Sequence, residues 1–445
     1  MRATLPPLLV FVSCLLLWAA GPATSNAAQQ PPPNILFLFA DDQRADTIGA
    51  LGNPVIATPN LDRLVKRGVS FNRAYMAGSN NPATCMPSRA MLLSGQPLKR
   101  IDQTLMRDPT WPEAFRSAGY TTFVSGKWHN GGSSVSKCFQ FARAVFTGGM
   151  GNPLHTPLRN LEDGVLRKPF TPGKHACEVF ADEAVEFLSK AQGAPFLCYI
   201  PFDAPHDPHI VPASFPVHYS PAAIPLPPNF AGVHPFDNGE MAVRDELLLP
   251  SPRPPEAVKE MLADYYRYVS YLDGQVGRIL DALEASPFAD NTIVVFSADS
   301  GVARGSHGLI GKQNLYEHSV RVPLIVSGPG IPKGVKTDAM CYLYDVFPTL
   351  GAACAVPAPA TSEGRDLSAV LREPSLPGRE VLYFSYKDVQ QAVRDKRWKL
   401  IYYPKVEVTQ LFDLEADPLE TKNMEGEPEA FEPLVRLAAL VRSGG

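Results

Sequence analysis

The 445-residue chain has no run of lysine or arginine, and its 41 basic against 45 acidic residues leave a formal charge of −4. A nucleic-acid binder needs a positive face to neutralise phosphates, so nucleic acid is not an expected partner. Cysteine is scarce: seven residues, none in a CxxC spacing, which argues against a zinc knuckle or a thioredoxin-like redox site. No internal repeat is visible. No apolar stretch beyond the N-terminal region approaches the ~20 residues that a membrane helix needs. Proline, by contrast, is abundant: 45 of 445 residues, about twice the usual ~5%. The prolines are dispersed, so they indicate many ordered loops and not a disordered block. With 45% apolar and 19% charged residues the chain reads as globular, and its length allows about three domains or one large α/β core.

The N-terminus has the parts of a secretory signal. Arg2 supplies the positive start, residues 8–20 are apolar, and Ser25-Asn26-Ala27 offers small residues for cleavage after Ala27. Residues 1–27 are therefore expected to be removed, leaving an exported protein with no membrane attachment (periplasmic or secreted, or lysosomal in a eukaryote). Loss of Cys14 leaves Cys85, Cys138, Cys177, Cys198, Cys341 and Cys354. Export permits disulfides. If Cys85 is reserved for chemistry, five remain and at least one of them is unpaired.

Continuous apolar runs at residues 34–40, 121–125, 195–202 and 292–297 predict strands buried on both faces, as in a parallel sheet. Helices are predicted between them: one from Thr58-Pro59 to Gly68, one over residues 178–190, and a long one over 256–285. In the long helix Leu262, Tyr265, Val269, Leu272, Val276, Ile279 and Leu283 recur at three- and four-residue spacing. Alternating strands and helices imply an α/β fold with a large, mostly parallel sheet sandwiched by helices. Residues 212–228 form a proline-dense loop. Runs at 381–386, 391–394 and 398–403 resemble short antiparallel strands, and residues 428–442 a last helix. The expected organisation is a catalytic α/β domain over 28–375 and a smaller α+β subdomain over 376–445.

Ligands of open parallel sheets bind beyond the carboxyl ends of the strands. Here the four ends run into Asp41-Asp42, Gly126-Lys127-Trp128-His129, Asp203-Ala204-Pro205-His206 and Asp299-Ser300. Four ends delivering ionisable groups to one edge predict a composite site. Asp41, Asp42 and Asp299 have no cation-rich run beside them, and three unpaired carboxylates repel unless a hard divalent cation sits among them. Their oxygen-only donors favour calcium or magnesium over zinc. A helix beginning near Pro87 would place Cys85 at its N-terminus, where the dipole favours anions, with Arg89 one turn on. On physical grounds this is either a reactive thiol in an anion site or a buried cysteine before a helix.

Thr84-Cys85-Met86-Pro87-Ser88-Arg89, with its Leu92-Leu93-Ser94-Gly95 tail, resembles the signature of the type I sulfatases, which belong to the alkaline phosphatase-like superfamily. Asn34 to Asp42, Thr58-Pro59-Asn60-Leu61-Asp62, Gly126 to His129, Ala204-Pro205-His206, Gly311 to Glu317 and Leu411 to Asn423 resemble further family blocks in family order. The resemblance spans residues 34–425.

It implies a sulfuric ester hydrolase acting on sulfated carbohydrates, with Cys85 oxidised to formylglycine by a formylglycine-generating enzyme. Asp41, Asp42, Asp299 and the modified Cys85 would hold one calcium ion. A hydroxyl of the hydrated aldehyde would attack sulfur, eased by calcium and Arg89, with Asp299 as base. Lys127 and Lys312 would clamp the sulfate oxygens, and His206 would protonate the leaving alcohol. His129 would then take the proton of the second hydroxyl, expelling sulfate and restoring the aldehyde. Where the family has Asn or His as a further metal ligand this chain has Ser300, whose hydroxyl could coordinate weakly or hold a water. His209 could line the pocket, and His307 and His318 are expected in supporting roles. The competing readings are a phosphodiesterase or phosphonate ester hydrolase of the same superfamily, and a non-catalytic relative that binds sulfated glycans.

Overall fold

Unbroken apolar succession makes Asn34–Ala40 a strand suited to burial on both faces, and all seven of its residues are buried. The computed structural model describes residues 1 and 31–443, so the signal segment and its cleavage point lie outside the described residues. Asn34–Ala40 pairs in parallel with Thr292–Ala298 on one side and Phe196–Pro201 on the other. Thr121–Lys127 and then Phe141–Phe146 continue the parallel order to one edge. Beyond Thr292–Ala298 lie Leu324–Ser327, Val69–Phe71 and Val335–Thr337, completing eight strands.

The four strands expected from composition thus form the interior of the sheet. The outer strands are short or interrupted by polar residues and carried no comparable signal. Only Leu324–Ser327 runs against its neighbours. Thr292–Ala298 ends at the ligand edge, and the following 25 residues stay there instead of crossing back through a helix. The chain can then re-enter the sheet only in the opposite direction. That detour brings Ser300 and Lys312 to the site.

Helices cover both faces. Pro59–Arg67 and Ala176–Lys190 both pack on the 30-residue Pro255–Glu284, and Cys85–Ser94, Trp111–Ser117 and Val346–Ala353 form a second group. Phe37 of the central strand meets Phe347 of that second group at a centroid distance of 5.6 Å. Asp273, buried in the long helix, accepts from the backbone amides of Asn60 (3.2 Å) and Leu61 (2.7 Å), so it caps a helix that has no capping side chain of its own. The long helix matches its predicted span to within one residue at each end.

The expected strands near 381–403 appear as Leu382–Tyr386, Gln390–Arg394 and Trp398–Tyr403. Two partners were not foreseen: Val408–Asp413, and a two-residue edge strand, Gly78–Ser79, from far earlier in the chain. The last helix is Phe431–Ser443, preceded by a single tight turn at Pro428–Ala430. It closes a small core of Val393, Trp398, Leu400, Leu411 and Leu437. All six described cysteines are free and buried, so no disulfide forms among the described residues. No helix among them is long and apolar enough to cross a membrane.

Candidate active site

The chain turns sharply where the central strand ends. Asp42 adopts a left-handed φ of 63°, a conformation that aspartate tolerates better than most residues. Its amide donates to Asp299 Oδ1 at 3.1 Å, and Tyr265 of the long helix donates to its carbonyl at 2.8 Å. Asp41 and Asp299 are held in register by their own amides, which donate to Ala204 and Ala40. All three carboxylates are buried.

Cys85 is the first residue of Cys85–Ser94, with Thr84 before it. Its thiol donates to Asp41 Oδ1 at 3.2 Å and receives Lys312 Nζ at 3.0 Å. Burial, then Asp41, pushes the Cys85 thiol well above its usual pKa. A thiol kept protonated is a poor nucleophile, so the unmodified side chain is not suited to attack an ester. One turn further, Arg89 donates from Nε to Asp299 Oδ2 at 3.0 Å, with Nη2 in ion-pair contact at 2.9 Å but not hydrogen-bonded, and donates from Nη1 to the carbonyl of Lys127 at 2.8 Å.

The premise that the carboxylates lack cations is corrected here. Lys127 Nζ bonds Asp41, Lys312 Nζ bonds both oxygens of Asp42 at 2.7 and 2.6 Å, and Arg89 bonds Asp299. The paired residues lie 86, 270 and 210 positions apart in the sequence, respectively, so a scan for neighbouring charge could not register them. Burial alone would raise the Asp41 pKa, but Lys127, His206 and Arg89 outweigh it and hold the carboxyl below its ordinary range. Burial likewise disfavours the Lys312 ammonium, yet Asp42 holds its pKa well above normal. Three carboxylates against three cations leave the cluster formally neutral.

Asp41, Asp42, Cys85 and Asp299 each present a ligand atom within 4.8 Å of the others. Carboxylate oxygens at that spacing suit a hard divalent cation, so the donor set fits calcium in type and proximity. Ser300 points into the same cluster, its hydroxyl donating to Asp42 Oδ1 at 2.8 Å. His206 Nε2 lies 3.6 Å from Asp42 Oδ2, and its Nδ1 is 2.8 Å from the carbonyl of Asp207. His129 has a left-handed φ of 65°, and its Nδ1 is buried with no hydrogen-bond partner among the described residues. Burial, then Lys127 and Arg89, lowers the His129 pKa far below its usual value and keeps the ring neutral.

All ten residues singled out in the sequence therefore meet at one edge of the sheet. Asp203, the third strand's own acid, turns away and accepts from the Cys177 thiol at 3.2 Å, so that strand end contributes only His206. His209 meets Arg304 at 3.2 Å beside Tyr265, and His307 stacks on Tyr316 at 4.0 Å. Sequence reasoning missed Ser88, which donates to the carbonyl of Asp299 at 2.7 Å, and Tyr265. Tyr265 was visible only as one apolar member of a helical stripe, a pattern that says nothing about its hydroxyl.

Residues 33–355 match the sulfatase family model, and residues 305–441 match the C-terminal model of N-sulphoglucosamine sulphohydrolase. The chain is 29% identical to an ulvan-active sulfatase of Formosa agariphila, over 96% of this chain and 84% of that protein. It is 26% identical to an N-acetylglucosamine-6-O-sulfatase of Bacteroides thetaiotaomicron, over 92% and 86%. A structure solved with its substrate D-glucosamine-2-N,6-O-disulfate superposes with a TM-score of 0.74 at 23% identity, covering 93% of this chain and 97% of that one. The phosphonate monoester hydrolase of Agrobacterium radiobacter gives 0.75 at 21%, over 92% and 95%, which shows the shared fold. With a family match over well more than half its length, the chain belongs to the sulfatase family and is a sulfuric ester hydrolase.

Proposed function

We propose that this sulfatase is exported and releases inorganic sulfate from sulfated carbohydrates. Cys85, matured to formylglycine by a formylglycine-generating enzyme, carries the reaction together with one calcium ion. Asp41, Asp42, Asp299, Ser300 and the modified residue 85 would hold that ion. The observation that carries the reading is the buried contact of Cys85 Sγ with both Asp41 and Lys312, at the start of a helix and among three carboxylates and three cations. Two of the relatives are named as an ulvan-active sulfatase and an N-acetylglucosamine-6-O-sulfatase, which supports a carbohydrate sulfate as substrate.

When present, the oxidised side chain supplies paired hydroxyls, one to bond sulfur and one to drive sulfate out, and calcium supplies Lewis acidity. A divalent cation would also take the formally neutral cluster to +2, matching a monoanionic sulfate ester beside an ionised hydroxyl. The protein's own groups do the rest. Lys127 and Lys312 carry ammonium groups that burial alone would neutralise but their aspartates keep charged. They can hold sulfate oxygens from buried positions, where such contacts are stronger than in open solvent. Arg89, anchored by Asp299 and the Lys127 carbonyl, stabilises negative charge at residue 85. Asp299 is the base for the attacking hydroxyl. His206, fixed through Nδ1 by the Asp207 carbonyl, presents Nε2 to protonate the leaving oxygen. His129, kept neutral, takes the proton released as sulfate departs.

The test compares p-nitrophenyl sulfate with the corresponding phosphate diester and follows free sulfate from sulfated oligosaccharides. Faster diester cleavage would replace this reading with a phosphodiesterase, and glycan binding without sulfate release would favour a non-catalytic binder. His206→Ala is expected to lower turnover of a sugar sulfate by about 10²–10⁴-fold. Its effect on p-nitrophenyl sulfate should be much smaller, because nitrophenolate departs without a proton. Equal losses on both would remove His206 from the acid role. Calcium should also stabilise chelator-treated protein, by ~2.7 kcal/mol at a hundredfold excess over Kd. A melting curve unmoved by calcium would count against the ligand set.

A further inference from the structure

Three consecutive residues of the loop before the long helix touch both halves of this site. Glu246 is buried, and its carboxylate accepts the backbone amides of Ile310 (2.9 Å) and Gly311 (2.8 Å), the two residues before Lys312. The amide of Lys312 itself donates to Gln313 Oε1 at 3.0 Å, and Gln313 Nε2 donates to Asp245 Oδ2 at 2.8 Å. Every backbone amide from 310 to 312 is thereby fixed by Glu246, or by Asp245 acting through Gln313. Glu246 is braced from behind by Arg253 at 2.5 Å. On the other side Arg244, about half exposed, bonds the carboxylate of Asp207 and reaches Asp245 at 3.2 Å. Asp207 supplies the carbonyl that orients His206.

We propose that Arg244-Asp245-Glu246 is a positioning clasp that sets Lys312 and His206 relative to each other. It rests on the roles assigned above to those two residues. None of the three clasp residues touches Cys85, so they act through the groups they hold. The two arms separate by chemistry. Glu246 governs the backbone carrying Lys312, which either sulfate ester requires. Arg244 governs the Asp207–His206 arm, which matters only when the leaving oxygen needs a proton.

The experiment uses the full chain, matured at residue 85, with p-nitrophenyl sulfate and an alkyl sugar sulfate as probes. Hydrogen exchange is measured in parallel over the peptide containing residues 308–316. Glu246→Ala should speed exchange there about tenfold and lower kcat/KM about a hundredfold on both esters, the scale of a 1 Å misplacement. Glu246→Gln, which keeps an acceptor oxygen, should recover a large part of both and serves if the alanine variant folds poorly. Arg244→Ala should slow the sugar sulfate about tenfold more than p-nitrophenyl sulfate and should change exchange over residues 308–316 less than Glu246→Ala does. Unaltered exchange in both Glu246 variants would overturn the clasp whatever the activities. So would equal effects of Arg244→Ala on the two esters. A parent chain that hydrolyses neither ester would instead defeat the functional reading, and the exchange result would still judge the Glu246 arm.

Discussion

Replacing Cys85 with alanine is expected to cut sulfate release by at least about 10⁴-fold while leaving the unfolding midpoint within a few degrees. The two outcomes separate because residue 85 stands at a helix start and, whether thiol or matured aldehyde, the substitution removes only the one or two heavy atoms beyond Cβ from a buried position. Lys312 keeps both oxygens of Asp42 and Lys127 keeps Asp41, so no buried charge is stranded. Chemistry loses more, since no other side chain in the cluster can bond sulfur and then expel it. Free-sulfate assays with calorimetry or fluorescence melting on the same preparations decide the matter. Retained turnover would mean that another group makes the bond to sulfur. Intact mass of the active parent should show residue 85 as an aldehyde or its hydrate, without sulfur.

The second large effect concerns stability. Lys399→Met should destabilise the fold by about 3–5 kcal/mol near neutral pH, the range for stranding a buried charge. Lys399 is wholly buried, 3.1 Å from Glu317 Oε1 and 2.8 Å from Glu420 Oε1. Glu317 retains Arg394 at 3.3 Å and the Tyr75 hydroxyl at 2.9 Å. Among the described residues only Lys399 is in ion-pair contact with Glu420, Arg394 acting on it from further away; Glu420 also feels Glu317, and burial already raises its pKa. In the variant the folded-state pKa of Glu420 rises further above its unfolded value. Between those two values the folded state then binds the extra proton, so stability increases as pH falls. The deficit should therefore shrink from pH 8 to pH 5. A loss equal at both pH values, in denaturant melts, would show that Lys399 acts by packing alone.

That cluster explains why the C-terminal block resembling a family signature matters to a distant site. Glu420 accepts the amide of Glu317 at 2.7 Å, five residues after Lys312, and its carbonyl meets His307 Nε2 at 2.9 Å. The tail thus anchors the segment that carries the lysine without reaching the chemistry itself.

The sequence by itself determined the interior of the sheet, the long helix and the identity of the candidate residues. The first two are local signals, an unbroken apolar run and a stripe at helical spacing. Of the residues, the aspartates, Lys127, His129, His206 and Ser300 stand where buried strands must end, Cys85 and Arg89 are marked by a motif at a helix start, and Lys312 by its resemblance to a family block alone. What only the tertiary structure decided is which charges meet. Lys312 reaches Asp42 across 270 positions because the chain stays at the ligand edge after Asp299 and re-enters the sheet antiparallel. Asp203 turns to Cys177 and away from the site, and Tyr265 spends its hydroxyl on the Asp42 backbone. Such pairings follow from how strands and loops are brought together in space. Coulomb energy depends on separation and burial, and neither is a property of sequence distance.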